Sequence, residues 1–509
     1  MNQRQSSRSS GILLHPTSLP GRFGIGDFGD EARAFVDFLV AGGQSLWQVL
    51  PLGPTGYGDS PYQLMSAFAG NPLLIDPRRL IAEGLLTLED IAATNFSADR
   101  VEFEQVHQFK DRLLREGFEN FKLGAAKHLA ADFEEFCEVN EFWLDDYALF
   151  RALKDTHGGI QWTQWEQELA NREPLALEKA RDELRDQIER HKFYQFLFFK
   201  QWQALSDYCR ARGVKLIGDI PIFVAHDSVD VWANREYFKL DHEGERTVVA
   251  GVPPDYFSET GQLWGNPLYD WDGLKADGFQ WWIERVRFAL SQFDLVRVDH
   301  FRGFVACWEI PAHETTAEHG EWVAAPGREL FTALTAALGD LPIIAENLGV
   351  ITPEVESLRA EFGFPGMRVL QFAFGSDDEN IHLPDNYPRN VVVYTGTHDN
   401  DTTVGWFANL SKSNETGYER QSAREFCLKY LQSDGQEIHW DMIRAALGSV
   451  ADTAIIPLQD VLGLGSEARM NLPNSTQGNW SWRFNQDALT EGHGERLRDI
   501  TATYGRIRT

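Results

Sequence analysis

Short apolar runs rich in Val, Ile and Leu recur along the chain and are typical of strands in a parallel sheet. Segments long enough for a helix separate most of these runs, and Asp30 is expected to cap the first such helix over 31–41. Eight parallel strands joined by helices predict an α/β fold, the (β/α)8 or TIM barrel. The predicted strands are 12–14, 45–50, 214–219, 294–299, 342–346, 367–372, 390–395 and 452–457.

Two stretches depart from this alternation. Between 83 and 213 the apolar residues fall at helical spacing, and Gly and Pro are few, which indicates a helical insertion. Segment 251–267 is polar and rich in Gly and Pro, so we expect a long irregular loop that acts as a lid and exposes Trp264. A plain connecting loop is the alternative for this segment. The predicted domains are a barrel at 1–82 and 214–509 with a lid insertion at about 226–292, a helical insertion at 83–213, and no C-terminal β-domain.

The overall charge narrows the classes of partner. The 509 residues include 47 basic and 76 acidic side chains, which gives a formal net charge of −29. This charge disfavours nucleic acid and anionic membranes as partners and is compatible with a neutral substrate. The 16 Trp residues suit a sugar ligand, because indole faces stack on sugar rings, although a core rich in aromatic residues is the alternative.

The cysteines and the hydropathy indicate a compartment. The four Cys residues are scattered and form no CxxC motif, so we expect free thiols in a reducing environment. Residues 1–10 are polar and predict no signal peptide, and no window reaches the roughly 18 apolar residues that a membrane span needs. We therefore expect a cytoplasmic protein that does not bind membranes.

Three predicted strands end at a carboxylate. Asp299 ends one strand, Glu346 ends the next, and Asp399 follows a third. The carboxyl ends of barrel strands are where active sites are built, and Arg297 lies on the same strand face as Asp299. A structural ion pair is the alternative explanation for Arg297 and Asp299. Three carboxylates at one rim favour a nucleophile, a general acid and a charge stabiliser, as retaining glycosidic chemistry requires.

Nine short motifs extend this interpretation over residues 11–483. They include Arg-Val-Asp-His at 297–300, Ala-Glu-Asn-Leu-Gly at 345–349 and Gly-Thr-His-Asp at 396–399. The other motifs lie at 14–20, 47–56, 60–63, 218–222, 251–258 and 457–460. Together they resemble the amylomaltases, which are the 4-α-glucanotransferases or disproportionating enzymes of the α-amylase clan.

The resemblance implies a role for each matching residue. Asp299 corresponds to the nucleophile, Glu346 to the acid/base and Asp399 to the third carboxylate, which holds sugar hydroxyls. The residues that correspond to substrate-binding groups are Tyr62, Asp219, Asp255, Trp264, Arg297 and His398. No metal-ligand cluster or phosphate-binding loop stands in the sequence, so we expect no metal and no cofactor.

The resemblance also implies the reaction. We expect a 4-α-glucanotransferase that moves α-1,4-glucan segments between maltooligosaccharides, or to glucose, through a covalent glucosyl-enzyme intermediate. Val224 stands where many hydrolytic α-amylases have His, which favours the transferase, and Asn474 stands where the family usually has Gly. The rival interpretations are a hydrolase of the same clan and a non-catalytic glucan-binding protein. The second rival predicts the loss of a rim carboxylate, and all three are present.

Overall fold

The computed structural model describes residues 8–92, 95–254, 258–410, 417–473, 475 and 477–507, apart from the side chains of 57 and 417–422. The strands are β1 (Ser9–Leu13), β2 (Leu46–Gln48), β3 (Lys215–Ile220), β4 (Val248–Val252), β5 (Gln262–Pro267), β6 (Leu295–Val298), β7 (Ala306–Pro311), β8 (Glu321–Ala324), β9 (Ile343–Ala345), β10 (Gly366–Val369), β11 (Val391–Tyr394) and β12 (Thr453–Pro457).

The α-helices are α1 (Asp30–Ala41), α2 (Pro77–Ala82), α3 (Phe103–Lys122), α4 (Ala130–Val139), α5 (Glu141–Thr156), α6 (Gln167–Ala170), α7 (Pro174–Glu183), α8 (Arg185–Ala211), α9 (Val229–Ala233), α10 (Trp271–Ala276), α11 (Gln280–Gln292), α12 (Gly327–Leu338), α13 (Pro353–Glu361), α14 (Thr403–Asn409), α15 (Gly417–Leu431), α16 (Ile438–Gly448), α17 (Leu458–Val461) and α18 (Glu491–Thr503).

Eight strands form the predicted barrel, in which every pair of neighbours is parallel. Their order is β10-β11-β12-β1-β2-β3-β6-β9. The backbone N–H of Ala345 on β9 donates to the carbonyl of Pro365, just before β10, at 2.9 Å, which brings the two ends of the sheet together. The (β/α)8 prediction is confirmed, because each predicted strand overlaps one of these eight. Buried Val and Ile residues dominate several strands, as the three Val residues of β11 illustrate.

Helices α1, α8, α11, α12, α13 and α16 precede successive barrel strands, whereas β10 and β11 are joined without an α-helix. Helix α1 begins one residue earlier than predicted, and Gly29 rather than Asp30 is the cap residue. The capping prediction was wrong because the Asp30 carboxylate instead accepts a hydrogen bond from Arg79 at 2.7 Å. After β12 the described α-helices and strands are α17 and α18. The predicted lack of a C-terminal β-domain stays a prediction.

The segment between β2 and β3 is helical, as the periodicity indicates. The short helix α2 comes first, and helices α3–α8 occupy the predicted insertion at 83–213. Helix α8 runs for 27 residues before Gly213, whose φ of 74° ends it in the left-handed region. Phe193, Phe196 and Trp202 on α8 are buried, so the aromatic stripe of this segment serves packing. The division of the chain into a barrel domain and insertions stays a prediction. Among the described helices, none is long and apolar enough to span a bilayer.

A second sheet lies beyond the barrel strands, and it corrects the loop predicted at 251–267. Four strands form an antiparallel sheet in the order β5-β4-β7-β8. Strands β4 and β5 lie within the lid segment predicted at about 226–292, whereas β7 and β8 come after β6 and lie outside it. A Cβ atom at Gly251 would approach the Gln262 carbonyl to 2.3 Å, so only glycine permits this strand pair. Gly251, one of the glycines that suggested a loop, is therefore required by the close pairing of β4 and β5.

Candidate active site

The parallel barrel brings the three predicted carboxylates to one rim. Asp299 directly follows β6, Glu346 directly follows β9, and Asp399 lies five residues after β11. The backbone of Glu346 donates to the carbonyl of Val298 at 3.1 Å, so the ends of β6 and β9 are hydrogen bonded side by side. The structure therefore places Asp299 and Glu346 on adjacent strand ends.

Arg297 links two carboxylates. Its Nη1 donates to Asp219 Oδ2 at 2.6 Å, and its Nη2 donates to Asp299 Oδ1 at 2.7 Å. The side chains of Arg297 and Asp219 are 5% and 0% exposed, whereas that of Asp299 is 29% exposed. Asp299 is thus paired with a buried cation, and part of its carboxylate remains accessible to a ligand.

The protonation of this buried pair follows from two opposing effects. Burial raises the pKa of Asp219, while the guanidinium of Arg297 lowers it. Tyr62 also donates its hydroxyl to Asp219 Oδ2 at 2.8 Å, and two short donors to one oxygen favour the ionised carboxylate. Burial opposes the charge of Arg297, but Asp219 and Asp299 outweigh it and raise the pKa of Arg297 well above its usual value. We therefore assign Asp219 and Arg297 as an ion pair.

Glu346 has a different environment. Burial first, and the charge of Asp299 second, raise the pKa of Glu346 to about 7. Hydrogen bonds from two backbone N–H groups act in the opposite direction: His300 donates to Oε2 and Leu348 donates to Oε1, each at 2.7 Å. His300 has a φ of 51°, in the left-handed region, and this strained turn directly after Asp299 carries its N–H to Glu346. A large fraction of Glu346 is protonated near neutral pH.

Asp399 is held by the loop that follows the last barrel strand. Asn471 Nδ2 donates to Asp399 Oδ1 at 2.7 Å, and Arg469 Nη2 donates to its backbone carbonyl at 2.6 Å. His398 Nε2 lies 3.4 Å from Asp399 Oδ2. The Asp399 side chain remains 47% exposed, so it is fixed and still accessible.

Aromatic rings form one wall of the site. Tyr62 stacks on His398 with ring centroids 5.1 Å apart and an angle of 14°, and Trp480 lies 5.8 Å from Tyr62 and 5.9 Å from His398. Burial lowers the pKa of His398 and raises that of Tyr62, so the imidazole is neutral and the phenol keeps its proton at neutral pH. This wall presents hydrogen-bonding groups in a single protonation state.

Trp264 does not stand exposed on a loop, as the sequence predicted. It lies on β5 and is partly buried, because its ring meets that of His300 edge to face at a centroid distance of 4.8 Å and an angle of 89°. Burial lowers the pKa of His300 to about 4, so this imidazole is also neutral. Trp264 therefore packs on the residue that hydrogen-bonds Glu346.

The structure thus brings together eight of the nine predicted site residues, and Asp255 lies outside the described residues, as does Asn474. The sequence interpretation missed the roles of His300, Arg469 and Asn471. Two of them belong to the segment after the eighth strand, so its position at the rim was the available signal. Within the described ranges, no group of three or more His, Cys, Asp or Glu side chains is arranged to hold a metal ion.

The geometry suits acid–base chemistry at a glycosidic bond. One partly exposed carboxylate is paired with a buried cation, and its neighbour is a buried carboxylic acid with a raised pKa. Such a pair can supply a nucleophile and a proton donor on adjacent strand ends, while Asp399 and His398 offer fixed hydrogen-bonding groups to a ligand.

Comparison with known proteins agrees with this chemistry. A family model described as 4-alpha-glucanotransferase matches residues 14–489. The chain is 54% identical over 505 residues to a 4-alpha-glucanotransferase of Synechocystis sp., with 98% of each chain covered. It is 52% identical over 508 residues to a 4-alpha-glucanotransferase of Thermus thermophilus, with 98% of this chain and 99% of the relative covered.

A solved structure supports the same conclusion. The amylomaltase from Streptococcus agalactiae, in complex with acarbose, superposes with a TM-score of 0.93 at 41% identity, covering 98% of this chain and 99% of that chain. Because the family model spans nearly the whole sequence and the relatives match from end to end, the chain belongs to the 4-alpha-glucanotransferase family.

Proposed function

We propose that this 4-alpha-glucanotransferase moves α-1,4-glucan segments between maltooligosaccharides, and to glucose, by a retaining double displacement. The name of the family supports α-glucans as substrates. The observation that carries the mechanism is the contrast between two neighbouring carboxyl groups. Asp299 is paired with Arg297, whereas burial raises the pKa of Glu346. One group is thus suited to attack and the other to donate a proton.

In the first displacement, Asp299 attacks the anomeric carbon of the donor sugar. Arg297 holds Oδ1, so we assign the attack to Oδ2. Glu346 gives its proton to the glycosidic oxygen, the bond to that oxygen breaks, and the reducing-end fragment leaves with a new 4-hydroxyl group. The glucosyl unit is then an ester of Asp299 with inverted configuration.

In the second displacement, the 4-hydroxyl of an acceptor glucan attacks the same carbon. Glu346, now a carboxylate, takes the proton of that hydroxyl, and the bond to Asp299 breaks. The second inversion restores the α configuration, and both catalytic groups return to their first state.

The residues around Asp299 and Glu346 bind the sugar and take no part in the proton transfer. We assign the binding of sugar hydroxyls to Asp399 and His398. Their hydrogen bonds to these hydroxyls should strengthen as the sugar ring distorts toward the transition state. Tyr62 offers its ring beside His398, and its hydroxyl supports Asp219. A role for Asp255 in the substrate groove stays a prediction.

Transfer requires that an acceptor sugar reach the ester more effectively than water does. Trp264 on β5 lies over His300, next to Glu346, and is our candidate for the group that binds the acceptor and limits water. We also propose a cytoplasmic location, which the four free cysteines support.

Maltotriose tests transfer against hydrolysis. Exchange of one α-1,4 bond for another conserves the number of bonds, so the wild-type protein should yield glucose and a ladder of longer maltooligosaccharides with almost no new reducing ends. Trp264→Ala should raise the share of hydrolysis, measured as reducing ends beside chromatographic chain lengths. Trp322→Ala is the comparison variant, because Trp322 lies on the opposite edge strand of the same sheet and its ring packs on Trp308 and Arg302, whereas that of Trp264 packs on His300. A wild-type protein that only shortens maltotriose would refute the transferase proposal.

Replacement of the nucleophile tests the double displacement. Asp299→Ala should abolish turnover of maltotriose while binding persists. With an activated α-glucosyl fluoride and azide, the variant should form a β-glucosyl azide, since a single inversion remains. Chromatography and NMR of the product decide the matter, and an α-configured azide or near wild-type transfer by Asp299→Ala would exclude Asp299 as the nucleophile.

A further inference from the structure

A small cavity with both apolar and polar side chains on its wall lies beside His398, at the carboxyl ends of β1, β11 and β12. We call it the His15 cavity; the residues that line it include His15, Ser18, Thr397, His398 and Asp401. The centres of water molecules can occupy about 30 Å³ within it. Since one water needs roughly 10–15 Å³, two waters fit, and the polar groups on the wall, among them His15, His398 and Asp401, supply the two to four hydrogen-bond partners that an ordered water requires.

His15 is a buried group that the proposed mechanism leaves unexplained. It stands two residues after β1, in one of the sequence motifs, and is 6% exposed. Its Nδ1 has no hydrogen-bond partner within the part of the chain that the structure describes. Burial, and then the neighbouring His398, lower the pKa of His15 to about 3, so the ring is neutral and its two nitrogens are one donor and one acceptor. A buried imidazole nitrogen of this kind requires a partner.

The backbone of the His398 loop is already fixed at both ends. Asp460, which is buried, accepts hydrogen bonds from the Thr395 hydroxyl at the start of the loop and from the Thr403 N–H at its end, the latter at 2.7 Å. Asn471 N donates to the His398 carbonyl at 3.1 Å. These contacts fix where His398 stands but do not decide which of its ring nitrogens carries the proton.

We propose that water in the His15 cavity links the imidazole of His15 to that of His398, and that His15 thereby positions His398 for the donor sugar. The second half of this statement rests on the proposed function, because it assigns His398 to sugar binding. A linked pair fixes the tautomer of His398 and the rotation of its ring. Without His15, the ring that faces Tyr62 loses this constraint, and the sugar loses an oriented hydrogen-bonding group.

Variants at His15 test the positioning role. His15→Phe fills part of the cavity and removes Nδ1, and it should lower kcat by about 10- to 100-fold, because misplacement of a binding group by 1 Å can cost that much. The KM should change by less than about threefold, since the other sugar-binding groups remain. His15→Gln keeps a hydrogen-bonding group and should recover most of kcat. His226→Phe is the control, because His226 is equally buried at 6% exposure and bonds the Gly244 carbonyl away from the cavity.

Two further measurements do not depend on transferase activity. A crystal structure of the wild-type protein should show water within hydrogen-bond distance of His15 Nδ1. The ¹⁵N spectrum of His398, assigned by its loss in His398→Gln, should report one tautomer in the wild-type protein and a changed tautomer population in His15→Phe. If the protein fails the maltotriose test, the proposed function falls, while these two measurements still decide whether the water link exists.

Any of three results overturns the inference. One is a well-ordered crystal structure in which the cavity contains no water density. Another is a His398 spectrum that is the same in the wild type and His15→Phe. The third is equal kcat values for His15→Phe and His226→Phe. If His15→Phe does not fold, the wild-type density decides: water within hydrogen-bond distance of His15 Nδ1 supports the link, and a cavity without water density refutes it.

Discussion

Activity should depend on the two-pronged hydrogen bonding of the Arg297 guanidinium and not only on its positive charge. The guanidinium uses two different nitrogens to reach Asp219 and Asp299, at 2.6 and 2.7 Å. In Arg297→Lys the positive charge remains, but a single ammonium on a flexible stem cannot occupy both positions. The variant therefore removes one charge-assisted hydrogen bond and leaves the net charge of the site unchanged.

The structure indicates which hydrogen bond is lost. The Asp219 side chain is fully buried, whereas that of Asp299 is 29% exposed, so an unpaired Asp219 would cost more free energy. The lysine should stay with Asp219, and Asp299 should lose its donor. A hydrogen bond to a charged group contributes about 1.5–3 kcal/mol. At 1.36 kcal/mol per factor of ten, kcat/KM should fall by about 10- to 150-fold.

Steady-state kinetics with maltotriose measure this loss, and a thermal unfolding midpoint shows whether the variant is folded at the assay temperature. Arg285→Lys is the control, since Arg285 is 3% exposed and donates to the neutral carbonyls of Pro221 and Ile222. It should lower kcat/KM by less than about threefold. The reasoning fails if a folded Arg297→Lys keeps kcat/KM within threefold of the wild type, or if both variants lose activity equally.

Two other predictions concern acid catalysis and stability. Activity of the wild type should fall as the pH rises through the pKa of Glu346, near 7, because the acid must hold its proton to donate it. With an activated glucosyl fluoride, Glu346→Gln should lose this alkaline limb in a pH–rate profile, and an unchanged limb would exclude Glu346 as the acid. Arg506 is fully buried and donates to five backbone carbonyls, those of Ser9, Leu447, Ser449, Ala451 and Asp452. Arg506→Met should destabilise the fold by about 3 kcal/mol or more, because it removes five hydrogen bonds that a fully buried guanidinium donates to backbone carbonyls. The measurement is the urea unfolding midpoint, and Arg498→Met, an exposed change on α18, should leave that midpoint nearly unchanged.

Interactions close in sequence were predictable from the chain alone. The eight barrel strands follow from short apolar runs, and the helices of 83–213 follow from helical spacing, because both patterns depend on which face of a local element is buried. The convergence of Asp299, Glu346 and Asp399 was predictable for the same reason: in a parallel barrel all strands end at one rim. The family motifs then added a role for each residue.

Interactions between distant segments were not predictable. The strands β4 and β5 looked like a loop, since the glycine that permits their pairing is also typical of turns, and only the approach of the Gln262 carbonyl distinguishes the two cases. The partial burial of Trp264 depends on His300, which lies on another segment of the chain. No local pattern encodes such contacts.

The fold class, the end of the barrel where the site lies and the residue types that carry the chemistry could all be predicted from the amino-acid sequence. The protonation state of each group depends on the folded chain. Glu346 is an acid near neutral pH because the folded chain buries it beside Asp299, and Asp219 and Arg297 form an ion pair because two strands place them 2.6 Å apart. A carboxyl group in an unfolded chain has one ordinary pKa, and only burial and fixed neighbours, which require the fold, can separate one carboxylate from another.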